Sequence, residues 1–301
     1  MRIKKAKALG FCFGVRRAID VVAEGAEKLG RIDSLGSVVH NPVVVEKLSD
    51  IGVRVVADLN EVESETIAVT AHGRGPEIVK EAARRHLRLI DATCPIVRKS
   101  QKAAQRLCAA GFKVIVYGED GHPEVRGVLA WTKGKGVVTL DPEGEIDIPR
   151  RKVALLSQTT KSEESFADFV ARFVAHNIRR INELHIINTI CPETDERYHA
   201  ARDLAAECDL LIVIGGRNSA NTLRLAQTCT STGVETHHVE TAAEIDPAWL
   251  EGKECVGVTA GASTPDESID EVVERLRDMD KQLRAAQRLA HRRLQASRAS
   301  T

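Results

Sequence analysis

KVIVYGEDGHPEV, residues 113–125, runs from an unbroken apolar stretch through a glycine and a polar loop to His122, Pro123 and Glu124. Val114 to Tyr117 show no polar alternation, so both faces of this short segment are expected to be covered, as in a parallel strand. Pro123 then suits the first turn of a helix. LLIVIGGRNSANT, residues 210–222, repeats that order of strand, glycine and polar loop. IAVTAHG (67–73), KVALLSQTT (152–160) and CVGVTAG (255–261) are further apolar runs that end in small or polar residues. Helical periods follow, as in PIVRKSQKAAQRLCAAG (95–111) and KSEESFADFVARFVAHN (161–177). Strands alternating with helices predict an α/β fold with parallel sheets. In such folds ligands bind beyond the carboxyl ends of the strands. That rule singles out His72, residues 118–124, Thr159, Thr160, residues 218–222, Ser263 and Thr264.

Composition narrows the function. Lys plus Arg and Asp plus Glu number 43 each in 301 residues, so no overall basic charge favours nucleic acid. No apolar run approaches the roughly 18 residues that cross a bilayer. MRIKKAKALG at the start is basic but no apolar signal core follows it. The expectation is a cytoplasmic protein that contacts neither nucleic acid nor membrane. The tail, 276–301, has helical periodicity; from Lys281 it carries six Lys or Arg and no acid. A solvated terminal helix is the expected reading of that tail.

Seven cysteines divide into two groups. Cys108, Cys208, Cys229 and Cys255 lie within or beside apolar patterns and read as small buried residues. Cys12 (GFCFGV), Cys94 (DATCP) and Cys191 (NTIC) each open a helical stretch instead. Helix starts present unpaired N–H groups that favour thiolate. Three similar α/β units, each giving one cysteine to a common centre, is the simplest account; two domains with chance cysteine spacing is the alternative. The domains are then expected at 1–93, 94–190 and 191–275. Three such thiolates can hold zinc or an iron–sulfur cluster; no close C-x-x-C pair favours structural zinc. Phe11 and Phe13 are expected to pack around Cys12 and keep water out.

His40 (VVHNP), His72 (AHG) and His122 (GHPEV) lie in loops next to Gly or Pro. With Ser219, Asn221 and Ser263 they form a donor set that suits a phosphate or diphosphate. No G-x-x-x-x-G-K-[ST] loop is present, which argues against a nucleoside triphosphate. Glu124 is a candidate proton donor whose pKa burial would raise.

The motifs GFCFGV, VVHNP, AHG, DATCP, GHPEV, SQTT, NTIC and TAGASTPD follow one another over nearly the whole chain. In that order they resemble the 4-hydroxy-3-methylbut-2-enyl diphosphate reductase family, whose reaction ends the methylerythritol phosphate route to isoprenoids. The resemblance implies three α/β domains in a pseudo-threefold arrangement around one [4Fe–4S] cluster held by Cys12, Cys94 and Cys191. It implies reductive removal of the substrate hydroxyl to give isopentenyl and dimethylallyl diphosphate. Glu124 and Thr159 would be catalytic. His40, His72, His122, Thr159, Asn188, Ser219, Asn221 and Ser263 would bind substrate. A ferredoxin or flavodoxin would supply electrons. The chain departs from the family pattern at Arg98, Gln101, Glu193, Tyr198 and Ala220 and in the stretch RGVLAW that ends at Trp131. Those departures admit a related iron–sulfur reductase or dehydratase with another small anionic substrate. A non-catalytic cluster sensor is the alternative of a different class.

Overall fold

All five apolar runs become strands in the computed structural model, which describes residues 1–149 and 151–299. The chain opens with β1 (Arg2–Lys5) and α1 (Phe13–Leu29). Next come β2 (Ile32–Leu35), α2 (Pro42–Asp50), β3 (Val53–Val56), β4 (Thr66–Val69), α3 (Pro76–Arg84) and β5 (Arg88–Asp91). After α4 (Pro95–Ala109) follow β6 (Lys113–Tyr117), α5 (Pro123–Ala130), β7 (Val137–Thr139), β8 (Lys152–Ser157), α6 (Glu163–Asn177) and β9 (Glu183–Ile187). After α7 (Pro192–Ala205) come β10 (Leu210–Ile214), α8 (Ala220–Thr230), β11 (Glu235–Val239), β12 (Cys255–Ala260) and α9 (Asp266–Ala299). Of the six basic residues of the tail, Lys281, Arg284 and Arg288 are exposed, as expected of a solvated helix, while Arg292, Arg293 and Arg298 lie outside the residues whose side chains are described.

Among the described residues the strands form three four-stranded parallel sheets, ordered β3-β2-β4-β5, β7-β6-β8-β9 and β11-β10-β12-β1. Numbered within each sheet, the order is 2-1-3-4 three times. In the last sheet the fourth place is taken by β1, from the opposite end of the chain. Arg2–Lys5 pair in register with Cys255–Val258. The first strand therefore completes the C-terminal sheet and not the sheet that follows it in sequence. Two compact units result: Cys12–Asp195 with two sheets, and residues 1–11 joined to the chain from 196 onward with the third.

Burial explains the unbroken runs. Leu210, Ile212 and Ile214 pack on one side with Ile269, Val272 and Leu276 of α9. Leu211 and Val213 pack on the other with Ala201, Leu204, Leu225 and Cys229. In the middle sheet Ile115, Val153 and Leu155 meet Phe166, Phe169 and Phe173 of α6. Val114, Val116, Ala154 and Leu156 meet α4 and α5 through Leu107, Val125 and Val128. Each such fully buried aliphatic side chain contributes about 1.5–3 kcal/mol.

β2, sequence IDSL, is as buried as these strands yet polar in its middle. Asp33 is fully buried; it accepts from Arg54 Nε at 2.8 Å and from the Glu63 and Ser64 amides at 2.7 and 2.8 Å. Cys208, Cys229 and Cys255 are free and buried as expected, with the Cys208 and Cys255 sulfurs 2.9 Å apart, whereas Cys108 is only half-buried, its Sγ donating to the Thr132 carbonyl at 3.1 Å near the end of α4.

Candidate active site

The three sheets place the candidate residues in corresponding loops. After each first strand stand His40, then His122 and Glu124, then Ser219 and Asn221. After each third strand stand His72, then Thr159, then Ser263. After each fourth strand, β5, β9 and β1, stand Cys94, Cys191 and Cys12, each opening the next helix. All lie at strand carboxyl ends, where parallel sheets bind ligands.

The unit Cys12–Asp195 carries all three of these cysteines. Cys12 caps α1, and its Sγ accepts from the Val15 amide at 3.4 Å. Cys94 caps α4. A Cβ on Gly14 would overlap the Cys94 Sγ, so the turn after Cys12 passes the second thiol with no room for a side chain. Cys191 donates its amide to the Thr159 carbonyl at 2.9 Å, and its thiol feels the charge of Cys94. Burial raises the pKa of Cys94 and Cys191 more than the helix-start amides lower it. The lowering expected from helix starts is present at these two thiols but is outweighed by burial. Among the described residues no three His, Cys, Asp or Glu side chains stand close enough to hold a single metal ion. Phe13, expected as a water shield, is 61% exposed.

Beside this centre lies the acid. Glu124 is 2% exposed, in the first turn of α5. Its Oε1 accepts from the Thr159 amide and its Oε2 from the Thr159 hydroxyl, both at 2.7 Å. Burial raises its pKa, and the two Thr159 donors pull it partly back. Its charge reaches the Cys94 thiol. Thr159 thus touches the acid with its side chain and Cys191 with its carbonyl.

The histidines form one cluster. Ring centroids are 4.5 Å apart for His40 and His72, 5.8 Å for His72 and His122, and 6.4 Å for His40 and His122. His122 Nδ1 accepts from the Glu124 amide at 3.2 Å, which leaves Nε2 to carry the proton. Burial lowers all three pKa values, that of His122 to about 4, and neighbouring imidazoles lower His72 and His122 further. The rings are neutral near pH 7 and can donate to an anion.

The other unit carries the second polar set. Ser219 caps α8, accepting from the Thr222 amide at 3.3 Å. Asn221 is 7% exposed, and neither its Oδ1 nor its Nδ2 has a partner among the described residues. A buried amide in that state costs about 1–3 kcal/mol unless something binds it. Gly261 lets the loop after β12 lie against Thr222, where a Cβ would overlap the hydroxyl. Ser263 is buried in that loop. Asn188 is exposed: its Nδ2 donates to Glu163 at 2.8 Å and its Oδ1 accepts from Ile190 at 3.0 Å.

Sequence reading missed two supports. Lys161, 1% exposed, pairs with Glu119 at 2.5 Å, and Gln158 accepts the Glu119 amide at 3.0 Å. Together they anchor the loop that carries His122. The position of Lys161 straight after SQTT was the available signal. The departures from the family pattern also find neighbours. Arg98 bonds Gln101 at 2.8 Å, pairs with Asp91 and lies 5.9 Å from the Trp131 ring. Trp131 Nε1 and Gln101 Nε2 both donate to the Arg74 carbonyl, at 3.1 and 3.5 Å. Tyr198 is core, packed with Ala6 and Leu204.

A family model described as LytB protein matches residues 3–277. The 4-hydroxy-3-methylbut-2-enyl diphosphate reductase of Geobacter metallireducens is 46% identical over 281 residues, 93% of this chain and 98% of the relative. A solved structure of (E)-4-hydroxy-3-methyl-but-2-enyl diphosphate reductase, the terminal enzyme of the non-mevalonate pathway, matches with a TM-score of 0.70. It is 36% identical and the match covers 92% of this chain and 100% of that one. The E-1-hydroxy-2-methyl-but-2-enyl-4-diphosphate reductase of Plasmodium falciparum matches with a TM-score of 0.83 at 28% identity, over 91% of this chain and 87% of that one. Among the described residues no helix is long and apolar enough to cross a membrane.

Proposed function

The chain belongs to the LytB protein family, and from that premise we propose that it reductively dehydroxylates 4-hydroxy-3-methylbut-2-enyl diphosphate. Two electrons and two protons break the C–O bond, release water and leave isopentenyl or dimethylallyl diphosphate. The observation that supports the reading is a buried acid, Glu124, bonded to Thr159 and close enough for its charge to reach the Cys94 thiol.

Cys12, Cys94 and Cys191 would hold a [4Fe–4S] cluster, one per chain. The donor set fits: three free thiols, each at a helix start, with Gly14 bare against Cys94. When bound, the cluster supplies electrons and one iron without a protein thiolate. A ferredoxin or flavodoxin would be the electron donor.

The remaining work falls to side chains of this chain. Protonated Glu124 donates to the leaving hydroxyl; burial, by raising its pKa, keeps it protonated nearer neutral pH. Once Glu124 carries the proton, its O–H can point to the Thr159 hydroxyl, whose own proton then turns to the substrate. Neutral His40, His72 and His122 donate N–H to the diphosphate, with Ser219, Asn221 and Ser263 as its second set of donors. The unpartnered amide of Asn221 supports that role. Asn188, already bonded to Glu163 and Ile190, is assigned the upkeep of the loop before Cys191 rather than a contact with substrate. The contacts among Arg98, Gln101 and Trp131 support mutual repacking rather than a change of substrate.

The test is anaerobic reconstitution with iron and sulfide, followed by turnover with reduced methyl viologen. Dye oxidation that depends on this substrate is the expected result. A chain that holds four irons without turnover would defeat the proposal. Cys12→Ser, Cys94→Ser or Cys191→Ser should each lose the brown chromophore, whereas Cys229→Ser should keep it.

A further inference from the structure

Glu193 has no part in the function proposed above, yet its carboxylate is placed with care. Both oxygens lie 3.2 Å from the backbone nitrogen of Phe13, which donates to them. Phe13 is the first residue of α1, straight after its cap Cys12. Glu193 itself stands in the first turn of α7, two residues after Cys191. One carboxylate therefore belongs to the start of one cysteine-led helix and accepts from the start of another. Both positions favour a negative charge, because helix starts carry a partial positive one. A negative charge seated at two cysteine-led helix starts disfavours arrival of an electron on a group those cysteines hold.

We infer that Glu193 is a positioning residue: it clasps the Cys12 and Cys191 helix starts together, and its charge makes a cluster bound there harder to reduce than a neutral residue would. The inference rests on the reading of these cysteines as cluster ligands. Its two halves separate by substitution. Glu193→Gln keeps an oxygen that can accept from Phe13 and removes the charge. Glu193→Ala removes both.

The experiment reconstitutes the wild type and both variants anaerobically. It measures iron and sulfide content, midpoint potential by redox titration, and the rate of iron loss to a chelator. Both variants should become easier to reduce by about tenfold or more in the reduction equilibrium, which is 59 mV for one electron. Iron loss should quicken about tenfold in Glu193→Ala and stay near wild type in Glu193→Gln. Unchanged potentials in both variants would overturn the electrostatic half, and unchanged iron loss in Glu193→Ala would overturn the clasp. A wild-type chain that takes up no iron would overturn the cluster reading and this inference with it. Iron uptake with indifferent variants would overturn the inference alone.

Discussion

Glu124 and Thr159 are held as a pair, the carboxylate receiving both the amide and the hydroxyl of the threonine. Glu124→Gln should keep the cluster and lose about 10²- to 10⁴-fold in turnover, the usual worth of a general acid. Normal turnover in that variant would remove Glu124 from the mechanism. Thr159→Val deletes one donor that lowers the Glu124 pKa. The pKa should then rise. An acid works while protonated, so the fall of rate on the alkaline side should move to higher pH. An alkaline limb that stays in place would separate Thr159 from the acid. Gly14→Ala should cost iron retention, because the new Cβ meets the Cys94 sulfur. Iron content after reconstitution reads that directly, and a full complement in Gly14→Ala would disprove the close approach.

Elements were legible where burial is two-sided. The five apolar runs read from sequence take inner positions in their sheets. The strands left unread are shorter or mixed: RIKK at β1, RLID at β5, ELHII at β9 and ETHHV at β11 lie at sheet edges and are partly exposed. Edge position lets polar residues in, and the two-residue period fades. β2 escaped for another reason. Its centre is a buried carboxylate whose partners, Arg54 and the amides of Glu63 and Ser64, are some 20–30 residues away in sequence. Asp33→Ala should destabilise the unit by about 2–4 kcal/mol, since it leaves two amides and a guanidinium without their acceptor. Asp33→Asn should cost less. The midpoint of urea unfolding measures both, and an Asp33→Ala midpoint equal to wild type would show the network to be idle.

Across the whole molecule the ionisable groups make stability depend on acid. His40, His72 and His122 titrate below their ordinary 6.5 in the folded chain, His122 at about 4. As pH falls through 6.5 the unfolded chain takes up protons first, so stability is full above 6.5 and is lost toward 4. Glu124, with its raised pKa, acts in the opposite sense over its own range, one group against three. The melting temperature should therefore fall between pH 6.5 and 4, and His122→Asn should flatten the fall. A melting temperature constant over that interval would contradict the burial of the rings. By itself the sequence determined the α/β class, the apolar strands and the residue types able to bind iron, anion and proton. Those follow from local periodicity and side-chain chemistry, which neighbours in the chain reveal. Tertiary structure alone decided that β1 completes the C-terminal sheet and that three sheets share the order 2-1-3-4. It also decided that the three histidines cluster, that Phe13 faces water and that Glu193 reaches the start of α1. These depend on contacts between residues far apart in the chain, and no period or motif encodes which distant partner a buried or charged group will meet.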